Sequence, residues 1–244
     1  MANGFDPRVA AAAHTATTVD RGAAIDAGLR SYMLSVYNYM ASGVLLTGIV
    51  ALLFARSGAA EAILFGPGIL KYVIMFSPLA FVLVLSFGIN RLSTGAAQFL
   101  FWAFATVMGL SMASIFFRYT GSSIALTFFA TAAAFVSLSL YGYTTKRDLS
   151  GFGTFLIMGV VGLIVAMLLN WWLQSPVLNL AISAIGVLIF AGLTAYDTQR
   201  IKSMYAWVAG TDMMGKVVIM AALSLYLDFV NMFTFLLQFM GSRD

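Results

Sequence analysis

Seven stretches of nearly continuous apolar sequence, each close to the roughly 20 residues that cross a bilayer, constrain this chain more than any other feature. They lie near residues 34–55, 70–89, 97–117, 122–142, 152–173, 177–198 and 217–239. In hydrocarbon no water is present to satisfy backbone N–H and C=O groups, so each stretch must close its own hydrogen bonds as an α-helix. The predicted fold class is therefore all-α: a polytopic integral membrane protein with a seven-transmembrane-helix bundle. The connections are legible as polar breaks. Arg56 to Pro67, Asn90-Arg91-Leu92-Ser93, Arg118-Tyr119-Thr120-Gly121 and Thr144-Thr145-Lys146-Arg147-Asp148 each interrupt an apolar run. Gln174-Ser175-Pro176 predicts a tight fifth turn, with proline placed to open the next helix. Lys202 to Lys216 is read as the longest connection inside the bundle, with room for a short helix. Pro78, inside the second span, predicts a kink because it removes one backbone hydrogen bond.

Composition agrees and narrows the chemistry. Only 9% of the residues are charged and 61% are hydrophobic, against about 25% charged in a soluble domain. The absence of cysteine excludes disulfides and thiolate chemistry. The single histidine, His14, sits in the polar N-terminal tail, where it cannot ligate haem or zinc inside the bundle. No cofactor is expected. The net charge of +4 does not indicate a nucleic-acid partner, because the basic residues lie at helix ends and form no stripe.

Two domains are expected: a polar cytoplasmic tail over residues 1–30 and the transmembrane domain over 31–244. The first half of the tail is expected to be disordered. Ile25, Leu29, Tyr32 and Val36 recur at helical spacing and suit a short amphipathic helix at its end, or simply the start of the first span. Orientation follows from basic residues. With the N-terminus inside, that side holds Arg8, Arg21, Arg30, Arg91, Lys146, Arg147, Arg200, Lys202 and Lys216, against Arg56, Lys71, Arg118 and Arg243 opposite. The bias predicts a cytoplasmic N-terminus and an extracytoplasmic C-terminus.

Two aspartates interrupt the apolar pattern. Asp197 stands in Ala195-Tyr196-Asp197-Thr198-Gln199-Arg200, and Asp228 in Leu225-Tyr226-Leu227-Asp228-Phe229-Val230-Asn231. A carboxylate at membrane depth costs roughly 2.5–3.5 kcal/mol on insertion scales, so it marks a functional site by default. The midpoint between them falls at Thr211-Asp212, which puts both at similar depth if that stretch is the turn of an antiparallel pair. Ser224, Asp228, Asn231 and Gln238 share one face of the seventh span, and Thr194 lies one turn before Asp197. A polar face of this kind lines a helix interface or a watery path. An interhelical hydrogen-bond clamp is the plainer alternative.

These segments carry a family resemblance. Gly192-Leu193-Thr194-Ala195-Tyr196-Asp197-Thr198-Gln199, Leu223-Ser224-Leu225-Tyr226-Leu227-Asp228-Phe229-Val230-Asn231 and Leu138-Ser139-Leu140-Tyr141-Gly142-Tyr143-Thr144-Thr145-Lys146-Arg147-Asp148-Leu149 resemble the motifs of the Bax inhibitor-1 family, also called the transmembrane Bax inhibitor motif family. The resemblance runs from about residue 30 onward and points to a bacterial-type member of the inner membrane. It implies a seven-helix bundle with the last helix central, a pH-sensitive calcium leak and a cytoprotective or stress-related role. Asp197 and Asp228 match the family's paired acidic residues, with Thr194, Tyr196, Ser224 and Asn231 as supporting polar groups. Some members carry a glutamate and an arginine within the second span as gate partners; here Glu61 and Lys71 are the nearest charges, at its outer edge.

Physical chemistry makes that activity reasonable. Two carboxylates a few ångströms apart in a poorly solvated site cannot both ionise easily, so they share a proton and titrate as a unit. Loss of that proton leaves two negative charges for a cation. Calcium takes six to eight oxygens, so Asp197 and Asp228 would hold it weakly and transiently, as a leak requires. The expected partners are the lipid bilayer, calcium ions and other membrane proteins. Two other functions compete with it. One is a non-transporting regulator that binds membrane proteins such as a membrane protease complex. The other is an intramembrane aspartyl protease, which needs Gly-x-Gly-Asp and a later Pro-Ala-Leu; the chain has Leu225-Tyr226-Leu227-Asp228 and no proline after Pro176. The chain is accordingly read as not an enzyme.

Overall fold

The structure, a computed structural model, describes residues 7–242, with side chains from Ile25 onward. The expectation of a disordered first half of the tail concerns residues whose side chains lie outside that range. Eight α-helices follow in order: α1 (Pro7–Arg56), α2 (Ala59–Phe65), α3 (Leu70–Gly88), α4 (Thr94–Met112), α5 (Gly121–Thr144), α6 (Ser150–Leu173), α7 (Pro176–Val208) and α8 (Met214–Met240). A 3₁₀ segment, Ala113–Phe117, extends α4. Seven of these, all but the short α2, are long and apolar enough to cross a membrane. Ile25, Leu29, Tyr32 and Val36 lie on the same uninterrupted helix as the first span.

Helix starts follow local chemistry. Ser93, Thr120 and Ser175 each stand in extended backbone and accept a hydrogen bond from the backbone N–H three residues on, which satisfies one of the orphan donors of a first turn. Gln174, in the left-handed region at φ 49°, closes α6, and Pro176 opens α7 at once. The tight fifth turn is therefore as predicted. The sixth connection differs from expectation. Helix α7 continues through Lys202 to Val208, and only Ala209 to Met213 separate it from α8. Residues Ile201, Tyr205 and Val208 keep an apolar face that packs inside the bundle, so the helix has no reason to stop at the first basic residues. The longer connection is the first, which carries α2. Pro78 sits inside a continuous α3. Its ring leaves the Ile74 carbonyl without an amide donor, and the Ser77 hydroxyl donates to that oxygen at 3.1 Å, a local substitution that lets a proline be carried in a membrane helix.

Helix α8 is the centre. Two thirds of its most apolar stretch is buried, against a third or less for each other span, and α1, α4, α5 and α7 all pack on it. Small residues allow this approach: a Cβ at Gly43 would come 2.8 Å from the Phe101 ring, and one at Gly186 would come 2.6 Å from the Phe235 ring. One buried polar knot ties three helices together. The Thr47 hydroxyl on α1 donates to the Ala105 carbonyl on α4 at 2.8 Å and meets the Tyr226 hydroxyl on α8 at 2.6 Å. Helices α3 and α6 are peripheral: α6 packs on α7, and α3 packs on α4 and α2. Trp171, Trp172 and Trp207 are exposed near helix ends, as interfacial tryptophans are.

Candidate functional site

Helices α7 and α8 form an antiparallel pair around a turn in which Gly210 takes φ 74° and Asp212 is exposed. Asp197 lies 11 residues before the end of α7 and Asp228 lies 14 after the start of α8. At 1.5 Å per residue these are depths of roughly 16 and 21 Å from the turn. The matched depth read from the sequence is realised, and the two carboxyl groups interact directly. That interaction is a hydrogen bond only when one of them carries a proton, since ionised carboxylates only accept. Asp228 is 4% exposed, and its Oδ2 is buried with no other donor against it. Asp197 is half-buried. The Ser224 hydroxyl, one turn before Asp228, reaches its carboxylate, and the Arg200 charge acts on it from the same helix.

The other polar groups sort differently. The Thr194 hydroxyl is buried and donates to the Phe190 carbonyl of its own helix at 2.8 Å. The Tyr196 ring turns away from the pair and lies against Gly153 of α6. Asn231 is half-buried on α8 and makes no hydrogen bond to the pair among the described residues. Gln238 lines, with Asn170 and Asn179, a separate pocket of 320 Å³ at the far end. Between that pocket and the pair, α8 buries Phe229, Met232, Phe233, Phe235 and Leu237. The polar stripe is thus interrupted, and the pair is closed toward that end. Glu61 is exposed on α2, and Lys71, in the first turn of α3, donates to the Gly66 carbonyl at 3.2 Å; both lie at the far end.

The residues that sequence reasoning missed are those that fix α7 beside the pair. Gly142 of α5 lets the Ala195 backbone come so close that a Cβ there would overlap the Ala195 carbonyl oxygen. One turn along, the Thr198 hydroxyl donates to the Thr194 carbonyl at 2.8 Å and lies 3.3 Å from the Ser139 hydroxyl of α5. Gln199 clamps the α5–α6 loop: its amide donates to the Arg147 carbonyl at 2.7 Å and its carbonyl accepts from the Leu149 N–H at 2.9 Å. Lys202 donates to the Tyr143 carbonyl at 2.7 Å and lies 4.6 Å above the Tyr143 ring centre. In the same loop the Ser150 hydroxyl and, second to it, the Ser150 N–H, from which the Asp148 carboxylate accepts at 2.9 Å, hold that carboxyl below the ordinary carboxylate value. The motif segment from Leu138 to Leu149 is therefore a cradle for the segment that carries Asp197. The signal was available, since Thr194, Thr198 and Lys202, each four residues apart, mark one helix face. Replacing Gln199 with leucine should remove both clamp bonds at a partly solvated site and cost about 1 kcal/mol. A thermal midpoint lower by roughly 3 °C for purified Gln199→Leu would show this, and an unchanged midpoint would mean the loop is held by other contacts.

Chemically, the arrangement offers two carboxylates and a hydroxyl at membrane depth. Among the described residues no cluster of three or more His, Cys, Asp or Glu occurs. A divalent cation at this place would take at most the two carboxylates from acidic side chains and most of its six to eight oxygens from hydroxyls, carbonyls and water.

Comparison with known proteins gives a consistent family. The sequence model described as inhibitor of apoptosis-promoting Bax1 matches residues 29–244. The inner membrane protein YbhL of Escherichia coli K12 is 47% identical over 219 residues, covering 89% of this chain and 94% of YbhL. The protein RP147 of Rickettsia prowazekii is 46% identical over 230 residues, covering 94% of this chain and 97% of its own. A protein of Caulobacter vibrioides is 45% identical over 228 residues, covering 90% and 91%. With a match over nearly all of its transmembrane region, this integral membrane protein belongs to the Bax inhibitor-1 family.

Proposed function

We propose that the chain is a pH-sensitive leak for calcium or a similar cation in a bacterial inner membrane, governed by a proton shared between Asp197 and Asp228. One observation carries this reading: two carboxyl groups from different helices meet at membrane depth, and Oδ2 of Asp228 is buried with no other donor against it. A permanent clamp could be built from asparagine or glutamine without the cost of a carboxylate. With the proton in place, the pair ties α7 to α8. Without it, two like charges face each other in a poor solvent and favour separation or a cation between them. Calcium entering the pair must displace that proton, which couples occupancy to pH. The bulky apolar side chains of α8 beyond the pair are the barrier that such a change would have to move. We place the activity outside enzymes, because Asp228 follows Leu225-Tyr226-Leu227 and the Tyr226 hydroxyl is already held by Thr47.

The test is calcium flux into proteoliposomes of the purified chain over a range of pH, beside protein-free vesicles. Protein-dependent flux that varies with pH is expected; flux equal to that of empty vesicles would remove the leak reading.

The orientation belongs to the same proposal. The turn end of the bundle carries Arg30, Arg91, Lys146, Arg147, Arg200 and Lys202, so it is assigned to the cytoplasm. A periplasm-dependent reporter fused after Asp244 should be active and a cytoplasm-dependent one silent. The reverse pattern would invert the assignment.

A further inference from the structure

Helices α1 and α5 are neighbours on α8, yet they are not packed on each other. The space between them is a lateral cleft in two compartments. The first, of 740 Å³, runs along α1 from Arg30 to Leu45; the second, of 310 Å³, continues past Thr47 to Ala51. Both volumes fall within the roughly 300–1,000 Å³ of cavities that hold a small organic ligand. The floor is aromatic. Phe229 of α8 meets Phe128 and Phe135 of α5, each with ring centres 5.6 Å apart.

We propose that the larger compartment is a binding site for one phospholipid of the surrounding bilayer, with an acyl chain in the cleft and its phosphate at Arg30. Three observations support the assignment. First, both flanking helices are membrane spans, so the open side of the cleft faces hydrocarbon, and an apolar chain is what that medium supplies. Second, the length fits. Arg30 to Leu45 is about 22 Å of helix, against roughly 15 Å for one leaflet's half of a 30 Å hydrocarbon core; the remainder reaches the headgroup level. Third, the charge sits at one end. Arg30 is exposed at the turn end of the cleft, where the Tyr37 and Tyr143 side chains also line it, while the second compartment is lined by no charged residue. A guanidinium at headgroup level with a free fork suits a phosphate. The lipid is thereby assigned to the leaflet at the turn end.

The experiment uses the full chain in bilayer nanodiscs containing phosphatidylglycerol with a photoactivatable diazirine on one acyl chain. After irradiation, labelled peptides are identified by mass spectrometry. Labels should concentrate on residues 33–45 and 128–140, at least several-fold above the exposed apolar faces of α3 and α6, which serve as internal controls. Even labelling of all lipid-facing helices would overturn the site. Two variants sharpen the result. Ala132→Trp, which fills the cleft from a half-buried position on its wall, should abolish the preferential labels; their persistence would overturn the site as well. Arg30→Gln should leave the acyl labels but lose the preference for phosphatidylglycerol over a zwitterionic probe lipid, and a retained preference would overturn the headgroup assignment. The labelling pattern of the unaltered chain stands even if a variant fails to fold.

Discussion

Asparagine in place of Asp197 or of Asp228 is expected to flatten the pH dependence of calcium flux in proteoliposomes. Each substitution keeps the size and a hydrogen-bonding group but removes one ionisable oxygen, so the state with two facing charges can no longer form. On the proposed reading the two facing carboxyls titrate as one unit. The double variant should therefore add little beyond either single one, as residues in one coupled site are non-additive. Asp148 and Asp212 are the controls. Both are exposed loop carboxylates, and Asp148 is further held ionised by the Ser150 hydroxyl and, second to it, the Ser150 N–H. The Asp148 carboxyl lies below the ordinary carboxylate range, so its contribution is present above that range and lost only as pH falls through it. Asp148→Asn and Asp212→Asn should leave the response between about pH 5 and 8 intact. Full pH dependence in both single variants at Asp197 and Asp228 would reduce the pair to a structural clamp, and strictly additive effects would show that the carboxyls do not meet in the membrane.

Leucine at Gly142, outside the pair, should be strongly destabilising. The added Cβ would overlap the Ala195 carbonyl oxygen, a backbone atom that cannot swing aside as a side-chain tip can. Helices α5 and α7 would have to part, and with them the Ser139–Thr198 contact and the Lys202 bond to the Tyr143 carbonyl. Overpacking of this kind costs typically 1–3 kcal/mol, and the lost polar contacts bring the expected total to about 3 kcal/mol or more. In a chain of this size that lowers a thermal midpoint by on the order of 10 °C. Gly162→Leu is the matched control, since a Cβ there meets nothing within 4 Å. Equal midpoints for the two variants would show that the close approach is dispensable.

Much of this architecture was legible beforehand because hydrocarbon leaves a chain few choices. Each apolar run had to be a helix, and Ser93, Thr120 and Ser175 announced where three of them begin. The pair itself was readable from two carboxylates placed symmetrically about Thr211-Asp212. The end of α7 was not, because Arg200 and Lys202 look like a membrane boundary, whereas Ile201 and Tyr205 continue the buried face. The contributions of Gly142 and Gln199 were equally hidden. A glycine in a membrane helix signals close approach without naming its partner, and Gln199 finds its partners 50 and 52 residues away. Tyr196 shows the limit of adjacency: it is next to Asp197 in sequence yet faces α6 instead of the pair.

The central position of α8 has a consequence for biogenesis. Synthesis runs from the N-terminus, so this helix leaves the ribosome after the six spans described before it. Helices α1, α4, α5 and α7 must then wait in the bilayer around an axis not yet present, with Thr47 lacking Tyr226 and Asp197 lacking Asp228. Until α8 enters, Asp197 has neither of its α8 partners, Ser224 and Asp228, and the aromatic floor of the α1–α5 cleft is missing Phe229. Arrival of α8 supplies all of these at once, which makes completion of the bundle a single late and cooperative event. A nascent chain stalled before Met214 should accordingly be a set of inserted helices without a folded domain, exposed to membrane quality control for as long as the stall lasts.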